Sequence, residues 1–146
     1  MALKSPDPHV QRIVALFEHL APADLPRLVE IYTPDAHFKD PFNEVQGVAA
    51  ITRIFEHMFK ALDGPRFLIR DVIVQGDQCF LGWDFVFRMK RFNGAEQVIH
   101  GATHLRLAAD GRIAVHRDYW DAAEELYEKL PAVGALMRWL RRRVNA

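Results

Sequence analysis

The sequence predicts an α+β protein in which helices pack on one face of a single sheet. Apolar residues recur at helical spacing between residues 8 and 62. From residue 66 to residue 120 the pattern changes to an alternation of inward and outward side chains, which is typical of half-buried strands. Helices and strands therefore occupy separate parts of the chain, and this order favours α+β over a parallel α/β sheet.

Three helices are expected in the first part of the chain. The residues that begin or end them are Asp7-Pro8 and Pro22 for the first, Asp24 and Pro34 for the second, and Gly47 and Gly64-Pro65 for the third. Tyr32 is expected at the end of the second helix. A short strand over residues 36–40 comes before the third helix and is closed by Asp40-Pro41.

The second part of the chain predicts an antiparallel meander of four strands. Its turns are marked by Gly76-Asp77, Asn93-Gly94 and Asp110-Gly111. Alternate residues share a face, and the inward face carries large aromatic residues together with a few polar ones. The inward residues that matter for a ligand are Trp83, Phe85, Phe87, Thr103, His116, Asp118 and Trp120.

The whole chain, residues 1–146, is expected to be one domain with a core over about residues 8–120 and a helical extension over 121–146. The spacing of Asp121 and Glu124 predicts a capping box at the start of that extension. Its later part sets Leu136, Met137 and Leu140 against arginines. Such a basic amphipathic helix can contact anionic membranes, but packing on the sheet, on the pocket mouth or on a partner is the commoner outcome.

The composition indicates which binding partners and which cellular compartment to expect. A formal net charge of zero argues against bulk nucleic-acid binding. The one cysteine, Cys79, cannot form an internal disulfide, and the first residues lack a secretory signal, so a cytoplasmic location is expected. No run of about 18 apolar residues suggests a membrane span.

The sequence contains no dinucleotide or phosphate loop and no CxxC or HExxH motif, so no cofactor is expected. His100 and His104 lie four positions apart on a predicted strand, a span of about 13 Å, which is too far for both to bind one ion. No metal site is therefore predicted.

His116 and Asp118 are the strongest candidates for chemistry. They lie two residues apart and project from the same face, about 7 Å apart at the backbone, beside Trp120. Two ionisable groups on an aromatic face suit general acid or base catalysis. A buried structural pair is the competing interpretation. Asp40 fits ordinary turn chemistry, and Tyr32 either reaches a pocket or packs in the core.

The segment Asp24-LPRLVEIYTPDAHFK-Asp40-Pro41, followed by Gly47-VAAI, resembles the nuclear transport factor 2-like superfamily, which includes ketosteroid isomerases and SnoaL-like polyketide cyclases. The resemblance implies a cone-shaped, curved antiparallel sheet closed by N-terminal helices, often in a homodimer. Because this fold hosts both enzymes and non-catalytic binders, it does not by itself define an activity.

By position, Asp40 matches the catalytic base of the ketosteroid isomerases. The tyrosine and aspartic acid that form their oxyanion hole fall on Ile13 and Thr103, so steroid isomerisation is not expected. Asp118 instead matches the acid/base aspartate of SnoaL-like cyclases, with His116 as its partner or as a hydrogen-bond donor to the substrate.

The expected function is cofactor-free acid/base catalysis of the isomerase, cyclase or hydratase type on a small apolar polyketide-, steroid- or lipid-like substrate. Asp118, His116 and Asp40 are the expected catalytic residues. The expected ligand-binding residues are Tyr32, Trp83, Phe85, Phe87, Thr103 and Trp120. The alternative is a binding module that holds a hydrophobic ligand without turnover.

Overall fold

The computed structural model describes residues 6–89, 94–125, 136, 139–140 and 142–144. Its helices are α1 (Pro8–Glu18), a 3-10 helix (Pro22–Glu30), α2 (Val48–Ala61) and the short α3 (Ala122–Glu125). Its strands are β1 (Tyr32–Lys39), β2 (Glu44–Gln46), β3 (Leu62–Gln75), β4 (Gln78–Met89), β5 (Glu96–Leu107) and β6 (Ile113–Tyr119).

The strands form one curved, unclosed sheet of six strands in the order β2-β1-β6-β5-β4-β3. The predicted meander is confirmed, because β3 to β6 pair with their neighbours in antiparallel fashion. β1 adds to the far side of β6 as a parallel strand, and β2 pairs antiparallel with β1. The fold is therefore α+β as predicted, although the sequence pattern did not indicate the parallel pair.

Helix α1 begins as its sequence predicts. Asp7 Oδ1 accepts hydrogen bonds from the backbone N–H groups of His9 at 2.8 Å and Val10 at 3.4 Å. Pro8 follows at the first helical position, where its missing N–H costs nothing. The apolar side of the helix, which includes Phe17, is buried against the sheet.

The second helix differs from the prediction. It is a 3-10 helix that ends at Glu30, and Asp24 lies in its first turn, where Oδ2 accepts from Ala21 N at 3.0 Å. Tyr32 is consequently the first residue of β1 and does not lie at a helix end. The chain extends here because Tyr32 pairs with Ile113 of β6.

Pro34 therefore stands inside a strand. The β1–β6 register shifts between Tyr32 and His37, and the exposed Pro34 lies in that irregular stretch. A proline is tolerated there because its missing N–H removes no regular ladder bond.

Helix α2 confirms the third predicted helix, but it joins β3 directly. β3 begins at Leu62, ahead of the predicted residue 66. Gly64 has φ +58°, and the β3–β4 register shifts between Asp63 and Arg66. The Gly64-Pro65 pair therefore forms an irregularity inside the strand, which glycine accommodates because it adopts positive φ without strain.

The core lies between the helices and the inward face of the sheet. On β4 the predicted alternation is confirmed, with Cys79, Leu81, Trp83 and Phe87 buried. On the outward face, His100 is exposed and bonds Asp84 at 2.6 Å. At one end, α2 and the sheet leave a space between them instead of packing together, and this space contains the candidate site.

The start of the C-terminal extension is visible in α3, where Asp121 Oδ1 accepts from Glu124 N at 3.1 Å. Most of the predicted amphipathic helix, including Met137, lies outside the described residues. Leu136, Trp139 and Leu140 are described, and all three are exposed. Among the residues that the structure describes, no helix is long and apolar enough to cross a membrane.

Candidate functional site

A cavity of about 470 Å³ lies between α2 and the inward face of the sheet. Its walls are mostly apolar, and α2 contributes one stripe of them at helical spacing, namely Ile54, His57, Met58 and Ala61. The sheet and the segments around it supply most of the aromatic rings. The aromatic lining residues are Phe17, Phe38, Phe42, Phe55, Phe67, Trp83, Phe85, Phe87 and Trp120.

β6 brings His116 and Asp118 into this cavity together. Because residues two apart on a strand share a face, both side chains point to the helices. His116 Nε2 lies 2.7 Å from Asp118 Oδ1. The exposed fractions of the two side chains are 5% and 17%, so the carboxylate retains contact with the cavity while the imidazole is almost enclosed.

Tyr32 lies behind His116. Its hydroxyl oxygen is 2.7 Å from His116 Nδ1, and the two rings stack with centroids 5.9 Å apart. Burial, followed by the nearby charge of Asp118, raises the pKa of the Tyr32 phenol well above its ordinary value. Tyr32 was expected to contact a ligand, but it is completely buried and does not line the cavity. Tyr32 therefore contacts His116, which lines the cavity, and does not itself reach a ligand there.

A second group of side chains reaches Asp118 from β4 and β5. Thr103 Oγ1 donates to Asp118 Oδ1 at 2.6 Å, and Trp83 Nε1 donates to Thr103 Oγ1 at 2.7 Å. Gly101 lies opposite Trp83 in the β4–β5 pairing. A Cβ on Gly101 would overlap the indole ring, so the glycine makes the space in which Trp83 lies.

The two oxygens of Asp118 thus have different surroundings. Oδ1 is in contact with both Thr103 and His116. Oδ2 has no hydrogen-bond partner within the part of the chain that the structure describes. Asp118 lines the cavity, so one oxygen of a cavity carboxylate is engaged and the other has no partner among the described side chains.

Asp40 also lines the cavity, but its carboxylate stabilises a turn. Oδ1 accepts from Phe42 N at 2.8 Å, from Asn43 N at 2.6 Å and from Asn43 Nδ2 at 3.1 Å. Oδ2 also accepts from Asn43 Nδ2, at 3.1 Å. The structure therefore brings Asp40 and Asp118 to the same cavity, while the hydrogen bonds of Asp40 are those of an Asx turn.

The remaining predicted ligand residues line the cavity. Phe85 and Phe87 stack with centroids 5.2 Å apart, and Trp120 meets Phe42 edge to face at 5.5 Å. Ile13, which stands where ketosteroid isomerases have a tyrosine, is buried in the core and is not among the lining residues.

Sequence reasoning missed several lining residues. Two of them are polar, namely His57 of α2 and Asn43 at the Asp40 turn. The spacing of Ile54, His57 and Ala61 on one helix face was the signal that could have identified the α2 wall. The partnership of Tyr32 with His116 had no such signal, because it joins residues 84 positions apart.

A curved, unclosed sheet with N-terminal helices packed on one face is the nuclear transport factor 2-like fold. The family comparison is more specific. The chain belongs to the family of SnoaL-like domains, whose model matches residues 13–116.

Solved structures share this fold at low identity. An NTF2-like protein of unknown function from Burkholderia pseudomallei is 17% identical, with 81% of this chain and 94% of that chain covered and a TM-score of 0.71. TerC, co-crystallised with polyporic acid, is 20% identical, with coverages of 81% and 95% and a TM-score of 0.70. A protein from Jannaschia sp. CCS1, described provisionally as a SnoaL-like polyketide cyclase, is 19% identical, with coverages of 82% and 92% and a TM-score of 0.70. No curated protein matches the chain.

Proposed function

We propose that this protein catalyses proton transfer at a carbon atom of a small apolar molecule, with Asp118 as the acid/base. The reaction is of the isomerase, cyclase or hydratase type and needs no cofactor. One observation carries the proposal, namely that Asp118 lines an apolar, aromatic cavity with Oδ1 held by neighbouring side chains and with Oδ2 lacking a hydrogen-bond partner among the described residues.

The surroundings of Asp118 suit this task. Thr103 and His116 fix the orientation of the carboxylate, so Oδ2 meets a substrate in one direction. In the proposed step, Oδ2 takes a proton from carbon, and the C–H electron pair moves into a neighbouring carbonyl to form an enolate. Asp118 then returns a proton to the substrate, at the same carbon or at another one.

The cavity also limits which substrates can react. Within the described residues, the Thr103 hydroxyl donates to Asp118 and Trp83 Nε1 donates to Thr103, so neither is available to an enolate oxygen. Each missing donor of this kind is worth about 3 kcal/mol in the transition state. A substrate that delocalises its own negative charge, such as an aryl-conjugated or polyketide-like ketone, therefore fits better than a simple ketone.

Two comparisons support a small organic ligand. TerC has this fold and was co-crystallised with polyporic acid, and the protein from Jannaschia sp. CCS1 has the provisional description of a polyketide cyclase. The stacked and edge-to-face rings of this cavity offer matching aromatic surfaces.

A binding module without turnover is the second candidate function. The observation in its favour is that same shortage of free donors near Asp118, because the negative charge of an enolate would be poorly stabilised. In that case the aromatic walls would hold a hydrophobic ligand and Asp118 would accept one hydrogen bond from it.

Isotope exchange separates the two functions without knowledge of the natural substrate. 2-Tetralone, a bicyclic ketone whose C1 enolate is conjugated with the aromatic ring, is incubated with the protein in D2O, and loss of its acidic C1–H signal is followed by proton NMR. The proposal predicts exchange well above the buffer rate, and a loss of at least about 10²-fold in Asp118→Asn. Binding, measured by quenching of tryptophan fluorescence, is retained in that variant.

Asp84→Asn is the matched control, because Asp84 lies on the outward face of β4 and pairs with His100 and Arg70. Its exchange rate should equal that of the wild type. Bound 2-tetralone that fails to exchange in the wild type contradicts proton transfer and favours the binding module.

A further inference from the structure

Hydrogen bonds link the side chains of Tyr32, His116, Asp118, Thr103 and Trp83. Of these five residues, only Tyr32 does not line the cavity. Its backbone is fixed by pairing with Ile113, and its ring is packed against Phe17 edge to face at 6.4 Å. The ring of His116 packs against both Tyr32 and Phe38, and the Phe38 centroid lies 4.6 Å away. The phenol oxygen and the imidazole therefore meet in one fixed geometry.

The donor and acceptor roles in this contact follow from the groups available. Among the described residues, the Tyr32 hydroxyl has His116 Nδ1 as its hydrogen-bond partner at 2.7 Å. A phenol that keeps its proton must donate it, and Nδ1 is the acceptor within reach. The raised pKa of Tyr32 keeps that proton on the phenol.

The opposite arrangement leaves two groups unsatisfied. If His116 carried its proton on Nδ1, the O–H of Tyr32 would be buried without an acceptor among the described residues. The lone pair of Nε2 would also face the lone pairs of Asp118 Oδ1 at 2.7 Å. Buried polar groups in native proteins are overwhelmingly paired, so the structure disfavours this tautomer.

We propose that Tyr32 is a positioning residue, whose phenol holds His116 in the tautomer with its proton on Nε2. His116 then donates to Asp118 Oδ1, beside the second donor, Thr103. With two donors fixed on Oδ1, the proton that Asp118 exchanges with a substrate is confined to Oδ2. This last consequence rests on the proposed function, whereas the tautomer itself does not.

Nitrogen NMR tests the tautomer directly. Protein labelled with ¹⁵N-histidine gives long-range proton–nitrogen correlations that distinguish the protonated from the unprotonated ring nitrogen. The His116 signals are identified by their loss in His116→Gln. The proposal predicts a proton on Nε2 in the wild type, whereas a proton on Nδ1 overturns it.

Two variants test whether the tautomer of His116 depends on the Tyr32 hydroxyl. Tyr32→Phe removes only the hydroxyl, and it should shift the Nδ1 resonance and populate the second tautomer. Tyr119→Phe removes a hydroxyl from the exposed face of β6 and should leave the His116 signals unchanged. His116 signals that are identical in Tyr32→Phe and the wild type would overturn the proposal. If Tyr32→Phe does not fold, the wild-type spectrum still shows which nitrogen of His116 carries the proton.

Turnover supplies the second readout. Tyr32→Phe should lower the exchange rate of bound 2-tetralone by roughly 10- to 100-fold and leave its affinity unchanged, as residues that orient a reacting group generally do. A wild-type protein that shows the Nε2 tautomer but no exchange contradicts the proposed function and leaves the assignment of Tyr32 intact. An exchange rate in Tyr32→Phe equal to that of the wild type overturns the positioning role.

Discussion

His116 Nε2 lies 2.7 Å from Asp118 Oδ1, although only one residue separates them on β6. One ionisable pair thus occupies two consecutive inward positions of the strand, inside an aromatic cavity. Tyr32 contacts the far side of His116, and Thr103 contacts the same oxygen of Asp118. Each of these contacts has a consequence that can be measured.

Thr103→Val should destabilise the protein. The change keeps the shape of the side chain but removes the acceptor of Trp83 Nε1, which would then be a buried donor without a partner. We expect a loss of about 1–3 kcal/mol in the free energy of unfolding, measured by urea denaturation. In Trp83→Phe, which lacks the donor, the same threonine change should cost less. Equal costs in both backgrounds would show that the contact contributes nothing.

Gly101→Ala should displace Trp83. The new Cβ would overlap the indole ring of the residue paired with Gly101, so the ring must shift. Overpacking of this kind typically costs about 1–3 kcal/mol. Urea denaturation measures the loss, and the smaller ring of Trp83→Phe should relieve most of it. A Gly101→Ala protein as stable as the wild type would contradict the packing described for this pair.

Ala61→Trp should close the cavity without unfolding the protein. Ala61 is an exposed residue at the end of α2 that lines the cavity. An indole there fills space that a ligand needs, and we expect at least a roughly ten-fold loss of 2-tetralone affinity, which corresponds to about 1.4 kcal/mol. Ala49→Trp, on the exposed side of the same helix, is the matched control and should bind normally. Unchanged affinity in Ala61→Trp would place the ligand elsewhere.

Cys79 should make the folded protein less stable at alkaline pH. Burial, followed by the charge of Asp7, raises the pKa of the Cys79 thiol from 9.0 to about 11. Because the folded state favours the neutral thiol, its stabilising contribution is complete below about pH 9 and is lost as the pH rises to about 11. We expect a loss of up to about 2 kcal/mol across this window.

The control for this pH effect is Cys79→Ala, which removes the titrating group. Urea unfolding at about pH 8 and about pH 10 should show a smaller decrease for this variant than for the wild type. Equal decreases would show that other groups cause the alkaline loss. Tyr32, whose phenol pKa is also raised, adds to the loss at the upper end of the range in both proteins.

Strand alternation predicted the cavity walls because it depends only on local geometry. Phe85, Phe87, Thr103 and Trp120 line the cavity as expected. The roles of the polar residues depended on contacts that the alternation does not encode. Trp83 and Thr103 line the cavity, yet the indole N–H of Trp83 donates to Thr103 and the hydroxyl of Thr103 donates to Asp118.

Tyr32 and Asp40 show why other features could not be predicted. Tyr32 was assigned to a helix end because Pro34 follows it, whereas parallel pairing with β6 draws it into a strand. That pairing is a long-range contact with no local pattern. The sequence around Asp40 fits a turn, and the family resemblance matches the same residue to a catalytic base. Only the hydrogen bonds from Phe42 and Asn43 in the structure show that its carboxylate stabilises a turn. The homodimer and the cytoplasmic location stay predictions.

The central claim is that Asp118, and not Asp40, exchanges protons with the ligand. The most direct test compares the rate of 2-tetralone exchange in Asp118→Asn and Asp40→Asn, because each asparagine keeps an oxygen that accepts the hydrogen bonds now made to Oδ1. Asp40→Asn loses only the bond from Asn43 Nδ2 to Asp40 Oδ2. We predict a loss of at least about 10²-fold for Asp118→Asn and of less than about ten-fold for Asp40→Asn. The larger loss in Asp40→Asn, with exchange preserved in Asp118→Asn, would contradict the assignment.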